Sequence, residues 1–104
     1  AQVSYTPVDS GLPYATDVEQ DGAQITLSAM AQAWGISPVQ TGMGGSIPFI
    51  ADLKENFPDA QILVTGVEDP DTRAHSANES LYVPDFKRGI LAEALILSAL
   101  SRNK

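Results

Sequence analysis

The segment that most limits how this chain can fold lies near its end. From Phe86 through Ile90, Leu91, Ala94, Leu95, Ile96 and Leu97 to Leu100, apolar side chains recur densely. Set out at about 100° per residue they surround most of a helix, and a helix apolar nearly all round needs more than one neighbour to cover it. Only a narrow polar strip at Lys87, Arg88, Ser98 and Arg102 is left. Pro84 at a first helical position, or Asp85 as a cap, starts this helix. The rest of the chain must supply its cover, and 104 residues allow one domain with a modest core.

Two further helices are predicted. Asp17 followed by Gln20 has the form of a capping box, and Asp17, Glu19 and Asp21 suit the positive end of a helix dipole. The helix runs through Ile25, Leu27, Ala29, Met30, Ala33 and Trp34 to a stop at Gly35, with Gly22 as a possible later start. In the second, Ile47, Ile50, Leu53 and Phe57 recur at helical spacing, with Ser46 as N-cap, Pro48 in the first turn and Pro58 as the stop. Two short strands, Ile36–Thr41 and the apolar run Gln61–Gly66, flank that second helix. Strand, helix, strand in that order predicts a right-handed crossover between parallel strands. Residues 1–16, broken by Pro7, Gly11 and Pro13, read as an extended arm or as a strand taken from another sheet. The expected class is therefore α/β, with about three helices and two or three strands. A sheet so small is rarely stable alone.

A net charge of −7 argues against nucleic acid or an anionic membrane as partner. The apolar stretch of the last helix, about a dozen residues, is short of the roughly 20 that cross a bilayer. Without cysteine there is no disulfide or thiolate metal site. No charged-then-apolar leader stands at the start, so a cytoplasmic location is expected, and the initial Ala1 reads as a processed product or an excised piece.

Two places invite chemistry. Thr41-Gly42-Met43-Gly44-Gly45-Ser46 lies between a predicted strand and a helix N-terminus, as a tight turn or as an anion site. It has neither the P-loop ending nor the dinucleotide-binding spacing. The long polar loop Gly66–Ser80 holds the single histidine, His75, with Glu68, Asp69, Asp71 and Glu79 nearby. Taken singly, His75 is a surface residue or a metal ligand, and no serine stands in a nucleophile motif.

Taken together, Gly44-Gly45-Ser46-Ile47-Pro48, Leu63-Val64-Thr65-Gly66 and His75-Ser76-Ala77-Asn78-Glu79 resemble, in order and spacing, the C-terminal part of the M20 family of metallopeptidases. The resemblance spans residues 17–104, including the closing helix with Ala92-Glu93-Ala94-Leu95. Val67-Glu68-Asp69-Pro70 looks most like the dipeptidase branch. The family also includes acylornithine deacetylase and succinyl-diaminopimelate desuccinylase. The resemblance implies part of a three-layer αβα catalytic domain in which two metal ions, usually zinc, activate water against an amide bond. It makes His75 a metal ligand, Gly44, Gly45 and Ser46 the holders of the substrate carboxylate, and Asn78 and Glu79 supports that orient the His75 loop. Residues 1–16 would be an arm returning from the family's lid domain. The substrate would be a dipeptide or an N-acyl amino acid.

The family's earlier motifs, including its His-x-Asp pair and its Glu-Glu pair, are absent, and Thr41-Gly42-Met43 stands where some relatives carry an arginine. The chain therefore reads as a C-terminal fragment, inactive alone and not retaining zinc. Its partner would be the remainder of the parent domain, with self-association through uncovered apolar surface. His75 and Ser46 are expected at one end of the sheet. A stand-alone α/β module that binds an anion without catalysis is the alternative.

Overall fold

The computed structural model describes residues 1–7, 13–42 and 47–102. Three helices appear in order: α1 (Asp21–Trp34), α2 (Pro48–Asn56) and α3 (Val83–Arg102). Among the described residues there is no strand. The expected α/β class, its two or three strands and its αβα layering are thus overturned.

The reason is physical. An apolar run gives extended backbone, but a strand exists only where a neighbour completes a hydrogen-bond ladder. Residues 61–67 form no such ladder and spend polar groups elsewhere. The Tyr14 hydroxyl and Thr16 Oγ1 both donate to the carbonyl of Ile62, at 2.9 and 3.3 Å. The Gln61 side chain accepts the N–H of Gly22, at 2.8 Å. Thr65 Oγ1 donates to the Glu93 carboxylate of α3, at 3.1 Å. The other expected strand, 36–41, carries Ile36 and Val39 largely in solvent. The strand–helix–strand crossover is therefore not formed.

The helix starts also differ from the cap signals. Asp17 does not cap a helix; its carboxylate accepts the N–H of Glu19 (3.1 Å) and its carbonyl that of Gln20 (3.4 Å), a tight turn that delays α1 to Asp21. Gln20 is the N-cap, without a side-chain bond. At the other end Gly35 takes φ 73°, and its N–H bonds the carbonyl of Ala31. That left-handed closure suits glycine, which has no Cβ to clash. α2 has Ile47 as its N-cap and Pro48 in its first turn, where a missing N–H costs nothing; Ser46, the expected cap, lies outside the described residues. Its last turn is tied by Lys54 Nζ to the carbonyl of Pro58.

Of the helix pairs among the described residues, only α1 and α3 are in contact. The buried side chains of these two helices are small: Ala23, Thr26 and Ala29 of α1 and Ala92 of α3. Thr26 satisfies its hydroxyl by donating to the carbonyl of Gly22, one turn back (2.9 Å). Small residues let two helix backbones approach closely. No large side chain of the described residues is fully buried. On α3, Phe86 (43% exposed), Ile90 (56%), Leu97 (68%) and Leu100 (43%) stay partly or largely in solvent. The Cα radius of gyration, 16.7 Å, exceeds the roughly 13 Å of a compact chain of this length. The demand for cover read from the last helix is met on one side only.

Gly89 of α3 faces Val67, and an added Cβ would stand 3.4 Å from Val67 Cγ1, an ordinary contact. Gly89→Ala is therefore expected to stabilise the chain by about 0.5–1 kcal/mol, the usual advantage of alanine within a helix. Urea unfolding of the two chains measures it.

Candidate functional site

The loop from Asp69 to Ser80 is ordered by its own hydrogen bonds. Asp69-Pro70-Asp71-Thr72 closes as a turn in which the N–H of Thr72 bonds the carbonyl of Asp69 (3.1 Å). Proline at the second position and aspartate at the first are what such a turn favours. The Asp69 carboxylate also accepts the N–H of Asp71 (2.7 Å), and the N–H of Asp69 donates to Thr72 Oγ1 (2.9 Å). A second turn, Arg73-Ala74-His75-Ser76, closes through the N–H of Ser76 onto the carbonyl of Arg73 (3.1 Å), which Ser76 Oγ also reaches (2.6 Å). The two ends meet where the N–H of Ser80 bonds the carbonyl of Thr72 (3.0 Å) and Ser80 Oγ that of Asp71 (3.3 Å).

His75 is exposed at the third position of the second turn, with φ 60°. Arg73 (φ 55°) and Asn78 (φ 59°) share that left-handed region. A positive φ is the habit of glycine and, less often, asparagine; for other residues it costs about 1–2 kcal/mol. Two of these three residues therefore hold a conformation their side chains oppose, and the hydrogen bonds around Thr72 offset it. Strain of this kind clusters where a side chain must be presented in one direction.

Asn78 and Glu79 are exposed, and among the described residues neither side chain bonds to His75. Gly44, Gly45 and Ser46 lie outside the described residues, and with them the expected carboxylate site and its placement relative to His75. Among the described residues no three His, Cys, Asp or Glu side chains converge as a metal cage. One imidazole offers one coordination position, whereas a catalytic zinc takes three protein ligands.

A groove of about 440 Å³ lies between α1, residues 65–67 and α3. Met30, Trp34, Val67, Phe86, Ile90 and Ile96 line it, and the Thr65–Glu93 pair supplies its polar edge. Neither the groove nor the role of Thr72 is singled out by the sequence reading. Asp-Pro-Asp-Thr is a turn signal that would have drawn attention to Thr72; the groove depends on which faces of α1 and α3 meet. No described helix is long and apolar enough to cross a membrane.

No protein-family model matches the chain. No solved structure matches it either. Among curated proteins it is similar to a cysteinylglycine-S-conjugate dipeptidase from Corynebacterium striatum, with 33% identity over 97 residues. The match takes in 92% of this chain and 21% of that protein, so the chain spans about a fifth of the length of the relative it resembles. A dipeptidase is thus its relative over nearly its whole length.

Proposed function

We propose that this chain is the C-terminal portion of the catalytic domain of a metal-dependent dipeptidase or amidohydrolase of the M20 type, contributing His75 as one metal ligand. The similarity to a dipeptidase along 92% of the chain carries this reading. The ordered loop supports it, because it presents His75 exposed in a turn whose left-handed backbone is held by the loop's own hydrogen bonds. Gly44, Gly45 and Ser46 are assigned to the carboxylate of a dipeptide or N-acyl amino acid substrate. Asn78 and Glu79 are assigned to the support of the His75 loop.

The remaining ligands and the general base come from the rest of a longer polypeptide, which also covers the apolar side of α3; uncovered, that side favours self-association. Zinc, when bound there, supplies a polarised carbonyl and an activated water. This chain's own part is to hold an imidazole in place. The 104 residues alone are expected to show no dipeptide hydrolysis and to keep less than one zinc per chain after dialysis. Hydrolysis by the purified 104-residue chain, blocked by a chelator, would refute the proposal.

A further inference from the structure

We infer that Thr72 is the positioning residue of the His75 arch, acting through its hydroxyl. Thr72 is only 5% exposed although it sits in a polar loop with exposed residues on either side of it. All three of its polar groups are engaged. Its N–H bonds the carbonyl of Asp69, its Oγ1 accepts the N–H of Asp69, and its carbonyl accepts the N–H of Ser80. The first two bonds pin Thr72 onto the turn that precedes it. The third closes the arch, so that residues 73–79 span two points fixed by one residue. His75 lies near the middle of that span.

The arch needs such a fixture because Arg73 and His75 hold left-handed backbone that neither favours. Released at one end, the arch relaxes toward ordinary negative φ, and the His75 imidazole turns away from its present direction. Serine at position 72 would keep the hydroxyl. Valine would keep the shape and leave the N–H of Asp69 without its acceptor. Thr72 does not touch metal or substrate in this account; it acts on His75 through the backbone. Its bearing on function rests on the reading of His75 as a ligand, and the test separates the two.

The full chain as the cell makes it is prepared as wild type, Thr72→Val, Thr72→Ser and His75→Gln. Hydrogen exchange of the peptide covering residues 69–80 and cobalt(II) affinity are measured for each. Thr72→Val is expected to speed exchange in that peptide about tenfold while α1 and α3 keep theirs. It is expected to weaken cobalt binding about tenfold, the usual scale for a residue that orients a ligand, and Thr72→Ser to restore both. Unchanged exchange in Thr72→Val would overturn the inference. So would faster exchange throughout α1 and α3, which would make Thr72 a general stability residue. If His75→Gln weakens cobalt binding and Thr72→Val does not, the positioning role fails and the ligand reading stands. If the arch loosens but neither variant alters cobalt binding, the fixture stands and the ligand reading fails.

Discussion

His75→Asn in the proposed longer polypeptide is expected to lower kcat/KM for a dipeptide by about 100-fold or more, since on the proposed reading it removes a metal ligand, which costs at least as much as removing a residue that orients one. Asparagine is the informative replacement. It tolerates the left-handed backbone better than histidine does, so the φ of 60° at this position is kept and only the imidazole is lost. His75 is exposed, so its loss should leave stability within about 0.5 kcal/mol. A variant that folds normally, binds less zinc and hydrolyses poorly would place the deficit on coordination. Near wild-type kcat/KM in His75→Asn would refute the proposed role of His75 as a metal ligand.

The second large effect concerns the α1–α3 interface. Ala92 is 4% exposed there, with Ala23 and Ala29 buried on the facing helix. Ala92→Leu adds three carbons to a contact made by small side chains, and overpacking of this kind costs about 1–3 kcal/mol. The urea midpoint of the 104-residue chain measures it. Leu97→Ala is the counterpart. Leu97 is 68% exposed, so the same experiment should find a change near zero in this chain. In the full polypeptide the proposed cover of α3 raises the cost of Leu97→Ala to about 2–5 kcal/mol, the range for a buried leucine. A large loss for Leu97→Ala in the short chain, with none for Ala92→Leu, would mean that α3 packs on α1 through a different face.

That contrast shows where the sequence is informative. The helices stand close to where apolar spacing placed them, and Gly35 and Pro48 punctuate α1 and α2 as their chemistry demands. Which face of α3 meets α1 is not legible, because periodicity ranks faces by apolar content and the buried contact is made by the smaller residues. The expected strands do not form: Gln61–Gly66 has the composition of a buried strand, but strand formation is decided by a neighbour the spacing does not name. The Asp17–Gln20 capping pattern misled for a related reason. Asp17 bonds its own turn two residues on, and a short acidic side chain does that as readily as it caps a helix. At the candidate site, His75 stood out as the single histidine, but its backbone conformation was hidden. Positive φ is usually announced by glycine, and positions 73, 75 and 78 hold arginine, histidine and asparagine.

The closed arch bears on how the protein survives among proteases. Its exposed stretch contains Arg73, followed by a small residue, on a surface loop of the kind where chains are commonly nicked. A protease, however, must draw several residues on each side of the cut into extended form. Here that requires reversing the left-handed turns at 73 and 75 and opening the Ser80–Thr72 bond first. The bonds that aim His75 therefore also make the peptide bond after Arg73 a poor substrate, and its lifetime is set by how often the arch opens.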